Sequence, residues 1–319
     1  MNKGAVAGIV AGGVLFTAGA IVLAVVLVNN IYGKNSKLVT NEYLIEEKFT
    51  NINISNKVAD IKFESSENDK VKVICIDKEK LYHEASVVDD TLTVTQIDNL
   101  KGIEKWFGYN GKLSVTVFLP IGTYGDLTVK TSTGDLISTN DYTFKSINVE
   151  SSTGKIDLEN IITGENINVS SSTGDLIFKN IECQNMNFNS STGKQTYMHI
   201  VCNDMNIHSS TGDQYYENIN CQNITAKSST GKKTFVEFVA EKNFVADSDT
   251  GNVIFKNSDA GTMKVKTSTG DVKGNLLTNK TFKVKTSTGK VTLPDERTGP
   301  VCEIETSTGD INISIGRIE

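Results

Sequence analysis

The sequence predicts an all-β chain: a parallel β-solenoid of about ten rungs of 19–20 residues, preceded by an irregular β cap and one transmembrane helix. Three observations carry this. A Thr-Gly pair returns at Gly134, Gly154, Gly174, Gly193, Gly212, Gly231, Gly251, Gly270, Gly289 and Gly309, and nine of the ten read Ser-Thr-Gly. The residues seven and five before each of these glycines are apolar without exception. No charged residue occurs between Gly4 and Tyr32. So constant a period marks units that cannot bury their own apolar face and rely on stacked neighbours to do so.

Taken in order, residues 1–33 form an anchor. Ala5 to Val28 is apolar apart from glycines and Thr17, longer than the about 20 residues that span a bilayer core. A cleaved signal peptide ending at Ala18-Gly19-Ala20 is the competing reading, but its apolar run is normally about 7–15 residues. Residues 34–41 are a polar linker. Lys3 on one side and Lys34 and Lys37 on the other leave the charge rule near balance, and a large domain after a first apolar segment translocates largely regardless. The expected location is the cell membrane, single-pass, with the repeat domain outside the cytoplasm.

Residues 42–120 alternate as strands do, at Ile52 and Ile54, at Val71, Val73 and Cys75, at Leu92 and Val94, and at Val115, Val117 and Leu119. Asn110-Gly111 is a turn signal. With no repeat in this stretch, it reads as the irregular cap that a solenoid needs at its end. Trp106, Phe107 and Tyr109 precede the turn and either cover the solenoid end or form an interaction tip.

Residues 121–319 are the repeat domain. Positions two apart share a strand face, so Leu127 and Val129, Ile147 and Val149, and their equivalents through Cys302 and Ile304 point inward. A second short strand follows each glycine, with inward pairs such as Ile156 and Leu158 or Ile311 and Ile313. Glycine accepts positive φ, so its recurrence marks a corner. After the glycines come Asp135, Lys155, Asp175, Lys194, Asp213, Lys232, Asn252, Asp271, Lys290 and Asp310. Stacked in chain order, these form a charge ladder with no like-charged neighbours, which holds register by penalising a slipped rung.

The segment Phe49 to Ser65, the strand end Phe118-Leu119-Pro120 and the Leu-x-Val-x-x-Ser-Thr-Gly-Asp-Leu repeats resemble the bacterial β-strand-repeat family known as putative adhesins, a family of unknown function. The resemblance covers Glu42 to the C-terminus. It implies a surface-associated, often membrane-anchored β-solenoid and transfers no catalytic residue.

Little else points to chemistry. A net charge of -6 without a basic run argues against nucleic acid, and no cofactor, phosphate or nucleophile motif appears. Asp175 and Asp213 would lie about 9.6 Å apart on alternate rungs, near the carboxylate separation of inverting glycosidases, but Lys194 stands between them. The same lysines argue against a calcium ladder. Cys183, Cys202 and Cys221 form a column nine residues after their glycines; a straight column does not converge on a metal. It reads as buried free thiols, although a disulfide between neighbours is geometrically allowed. Cys75 and Cys302 read as structural. Tyr215 and Tyr216, with Tyr197 one rung earlier, are a weaker interaction surface. The first Thr of each Thr-Ser-Thr shares the inward parity, which argues against a flat outer Thr array.

The function expected is a non-enzymatic membrane-anchored surface protein, an adhesin or envelope scaffold meeting cell-wall glycan or an envelope protein. An envelope-stress sensor binding a protein or peptide is the alternative, and a polysaccharide-acting enzyme the third reading. The final rung, with Ile311, Ile313, Ile315 and Ile318, is expected to leave an uncovered edge able to self-associate.

Overall fold

The computed structural model describes residues 38–107, 112–296 and 298–317. The expected anchor and residues 34–37 of the expected linker lie outside them. Residues 38–41, also expected as linker, belong instead to the strand Leu38–Ile45, because they pair with Cys75 to Lys78. Among the described residues no helix is long and apolar enough to cross a membrane.

The strands are β1 (Leu38–Ile45), β2 (Asn51–Ser55), β3 (Ala59–Ser65), β4 (Val71–Lys78), β5 (Leu81–Val88), β6 (Thr91–Asp98) and, after the helical turn α1 (Glu104–Phe107), β7 (Leu113–Leu119). They continue through β8 (Thr123–Thr133), β9 (Leu136–Ser138), β10 (Tyr142–Thr153), β11 (Ile156–Thr163), β12 (Asn166–Thr173), β13 (Leu176–Glu182), β14 (Asn185–Thr192) and β15 (Gln195–Thr211). The set closes with β16 (Gln214–Thr230), β17 (Lys233–Val236), β18 (Val239–Thr250), β19 (Val253–Thr269), β20 (Val272–Leu276), β21 (Thr281–Thr288), β22 (Val291–Thr292), β23 (Val301–Thr308) and β24 (Ile311–Ile315).

The pairings make a parallel β-solenoid. Leu127 faces Ile147, which faces Ile167, then Met186, Met205, Ile224, Phe244 and Met263. All of these are buried to 2% exposure or less, as the alternation requires. The inward pairs of the second strand, including Ile156, Leu158, Ile311 and Ile313, are buried as well. Behind them Phe178, Tyr197, Tyr216, Phe235 and Phe255 stack ring on ring, with neighbouring centroids 4.6 to 6.0 Å apart. One residue type at one height in each rung thus makes a continuous core.

At the Thr-Gly corner the glycines have φ between +131° and +157°. A Cβ on Gly154 would collide with the Gly134 carbonyl, and the clash repeats up the column. The residue is glycine because backbone packs on backbone there. The next position does not act as the ion-pair ladder expected. The Asp135 carboxylate accepts the Lys155 backbone N–H at 2.8 Å, and Asp175 and Asp213 accept those of Lys194 and Lys232 at 2.9 Å. Asn252 does the same for Asp271 at 2.8 Å. Each Asp or Asn therefore holds the backbone of the next rung, and an amide serves where a carboxylate would. Two ion pairs of this column, Lys155–Asp157 at 2.6 Å and Lys273–Asp271 at 3.7 Å, run along the strand rather than between rungs.

Chain order and stacking order differ at both ends. Met263 faces Cys302, and Cys302 faces Phe282, so β23 lies between β19 and β21. The last rung is interior and the preceding one is outermost, which corrects two expectations. Asp271 neighbours Asp310, a like-charged pair that chain order would have avoided, and Ile313 is 2% exposed instead of lying on the open edge. Ile318 falls outside the described residues.

The outward columns give a reason. In chain order Lys264 and Lys266 would stand beside Lys283 and Lys285. With β23 inserted, Glu303 and Glu305 separate them, and Glu303 reaches Lys283 at 3.7 Å while Glu305 reaches Lys285 at 3.6 Å. Each exposed pair contributes only about 0–1 kcal/mol, but two like-charged contacts become attractive ones. The Asp271–Asp310 contact is offset because the Asp310 N–H donates to Asp271 at 3.0 Å and the Lys290 N–H donates to Asp310 at 2.7 Å.

At the other end the region expected to be an irregular cap contributes parallel layers of its own. β2 pairs with β8 on one side and β6 on the other, and β3 lies between β9 and β7. Among the described strands antiparallel pairing is confined to this end, where β5 lies against β6 and β4 lies between β7 and β1. β1, β4 and β5 form the lid. Asn56 replaces the Thr-Gly chemistry at the first corner, accepting from the Ala59 N–H at 3.1 Å and donating to the Thr131 hydroxyl at 3.2 Å.

Candidate interaction surface

The outward side chains within and just before the inward pairs form two columns of carboxamides on one sheet. In the first, Asn168 donates to Asn148 at 2.9 Å, Asn187 to Asn168 at 3.1 Å and Asn206 to Asn187 at 3.2 Å. In the second, Asn185 donates to Asn166 at 2.8 Å, Asn223 to Asp204 at 2.7 Å and Asn243 to Asn223 at 2.9 Å, and Thr262 donates to Asn243 at 2.8 Å. Parallel strands in register bring identical side chains to the spacing at which one amide N–H meets the next amide oxygen. Each amide then keeps one N–H and one lone pair for solvent or a ligand. From β8 to β18 the two columns are uncharged apart from Asp204 and, at one end, Asp126, and the next outward column on the same strands carries Lys130, Glu150, Lys227 and Asp247. These columns went unread in the sequence, although asparagine recurs six and eight residues before the glycines.

A second corner also escaped the sequence reading. Six residues after the glycine, Asn160, Asn180, His199, Asn218, Glu237 and Asn257 all have φ between +49° and +58°. Asparagine tolerates this left-handed conformation better than most residues. Asn180 donates to Asn160 at 2.7 Å, and Asn218 meets His199 Nε2 at 3.2 Å.

The remaining sequence candidates are distributed as follows. Tyr197 and Tyr216 are fully buried in the ring stack, leaving Tyr215 on the surface, where it donates to Glu217 at 2.7 Å. Burial first, and then the Glu217 carboxylate, push the Tyr215 phenol up to about 12. The first residues of the Thr-Ser-Thr runs at Thr131, Thr267 and Thr306 are buried, as their parity requires, whereas Thr286, on the outermost strand, is half-buried. Tyr109 and the side chains of Trp106 and Phe107 lie outside the described residues. Cys202 and Cys221 are joined across adjacent rungs with Cα atoms 4.8 Å apart, in place of the free thiols expected; Cys183, Cys75 and Cys302 are free and buried. Rung spacing itself brings the pair within bonding range.

Two buried polar clusters lie beneath the surface. In the lid His83 Nδ1 meets the Asp77 carboxylate at 2.6 Å and Nε2 meets Asn56 Oδ1 at 3.2 Å, while Asn41 donates to Asp77 at 3.0 Å. Cys75 lies close by, and burial pushes its thiol up to about 12. Three donor types meet there, but both imidazole nitrogens and both Asp77 oxygens already have protein partners, so the cluster ties the lid to the first rung. Within the solenoid, Gln214 donates to Gln195 at 3.1 Å and Lys233 donates to Ser228. Burial pulls the Lys233 amine down to about 8 against the opposing pull of Asp247 and Asp249. The carboxylates of Asp175 and Asp213, considered as a hydrolytic pair, are each engaged by the next rung's backbone.

The family model of the Toastrack DUF4097 domain matches residues 49–232 and 214–317. The chain belongs to this Toastrack family. Its corner glycines, inward columns and first rung all fall inside the matched segments. Solved structures with a similar fold include a putative adhesin from Bacteroides fragilis, 18% identical, covering 87% of this chain and 97% of its own at a TM-score of 0.42. A second putative adhesin, from Parabacteroides merdae, is 17% identical over 75% of this chain and 97% of its own, with a TM-score of 0.45. A putative lipid binding protein from Parabacteroides distasonis is 15% identical over 76% of this chain and 98% of its own, with a TM-score of 0.47. No curated protein matches this Toastrack chain.

Proposed function

We propose that the chain is a non-enzymatic surface scaffold, held at the cell membrane by residues 1–33, that adheres to cell-wall glycan through its carboxamide face. The observation that supports this most is the pair of asparagine columns. They present a nearly uncharged double row of side chains in which each amide keeps a donor and an acceptor, the pairing that a hydroxyl-rich polymer satisfies, beside a charged column that begins two residues further along each strand. Repetition supplies avidity, because a polymer that meets one amide meets the next at little added entropy. The corner carboxylates hold backbone in this reading and take no part in chemistry.

Binding of the full chain in detergent to purified cell-wall glycan tests the proposal. Asn168→Leu with Asn206→Leu removes two members of the first column. It is expected to weaken binding at least tenfold while shifting the unfolding free energy by only about 2–4 kcal/mol, the scale of the three surface hydrogen bonds it removes. Undiminished binding by a folded variant would contradict the assignment of this face.

A further inference from the structure

The outermost rung is incomplete in three respects. Among the described residues β21 pairs with β23 alone, so its other edge leaves backbone donors and acceptors unmatched. Its inward residues Phe282 and Val284 are only partly buried, whereas their equivalents Met263, Val265, Cys302 and Ile304 are at most 2% exposed. On the outward face the Lys283 and Lys285 side chains are 65% and 76% exposed. Unpaired backbone, uncovered apolar side chains and partly matched charge coincide on one strand.

The molecule contains a model for the missing neighbour. β23 lies on the paired side of the same strand with the pattern Val301-Cys302-Glu303-Ile304-Glu305-Thr306. Its apolar residues enter the core while Glu303 and Glu305 meet Lys283 and Lys285. We propose that the free edge of β21 is a strand-addition site. Its partner would be an extended acidic segment with two carboxylates two residues apart and apolar residues between and before them. Backbone bonds would supply affinity, Phe282 and Val284 would gain cover, and the lysines would select the acids. A second copy pairing through its own β21 does not fit, since lysine would then oppose lysine. The proposal does not depend on the carboxamide face.

The test uses the full chain in detergent and a fluorescent peptide of residues 300–308 carrying Cys302→Ser. Saturable binding is expected by anisotropy, together with slowed amide hydrogen exchange confined to residues 281–292. Placing lysine at both glutamates of the peptide should weaken binding at least tenfold at low salt. Changing the peptide leaves the protein's own Lys283–Glu303 and Lys285–Glu305 pairs intact, so misfolding of a protein variant cannot imitate the result. No binding, equal binding of the lysine peptide, or protection elsewhere would overturn the proposal. So would concentration-dependent protection of residues 281–292 without peptide, which would assign the edge to a second copy.

Discussion

Gly212→Ala is expected to lower the unfolding free energy by about 3 kcal/mol or more. The residue has φ +136°, a conformation that costs a non-glycine residue about 1–3 kcal/mol, and its new Cβ would collide with the Gly193 carbonyl. Backbone cannot swing aside as a side chain does. Relief would part the neighbouring rungs and strain the bonds from the Gly193 N–H to Thr211 at 3.2 Å and from the Gly212 N–H to Thr230 at 3.0 Å. Gly164→Ala is the control, because nothing lies within 4 Å of its added Cβ and its φ is not positive. Urea midpoints should separate the two variants widely, and similar values would show that the glycine column is not a close-packed backbone spine.

Lys280→Met should cost about 3 kcal/mol or more. The Lys280 ammonium is 1% exposed and donates to the Asp259 carboxylate at 2.6 Å, the Ala260 carbonyl at 2.6 Å and the Thr278 hydroxyl at 3.0 Å. It sits just before β21, where the chain skips a rung, and ties that crossing to β19. Removing it leaves Asp259, only 14% exposed, without its counter-charge; breaking a buried pair from one side typically costs about 3–5 kcal/mol. Asp259→Asn in the same chain should recover much of the loss. Additive losses in this double-mutant cycle would mean that the two groups are not coupled.

The period fixed the corner, the inward columns and the parallel stacking in advance because each needs only one residue type at one recurring position. Rung order was not legible there. Every repeat offers the same glycine and the same inward pair, so any rung fits beside any other, and the corner charges alone favoured chain order. The deciding residues, Lys264, Lys266, Lys283, Lys285, Glu303 and Glu305, lie on outward columns whose signs reveal the exchange only when read together. The first rung was hidden because Asn56 does the work of a Thr-Gly corner with a side chain. The asparagine columns and the left-handed corner at Asn160, Asn180, Asn218 and Asn257 were present as spacings, but His199 and Glu237 interrupt the second, and a recurring polar residue reads as plain solvation. In the cysteine column, the rung spacing was legible but the choice between thiol and disulfide rested on the register of Cys202 against Cys221.

The open edge, its lysines and the partner they select all depend on β23 lying between β19 and β21. Cysteine pairs at 266 and 305, at 285 and 305, and at 266 and 285 measure this directly when the chain is mildly oxidised and its cross-linked peptides are mapped by mass spectrometry. Parallel neighbours are about 4.8 Å apart and next-nearest ones about 9.6 Å, beyond the reach of a disulfide. The stacking described here predicts that both pairs containing position 305 cross-link and that 266 with 285 does not; efficient cross-linking of 266 to 285, with 266 to 305 failing, would contradict it.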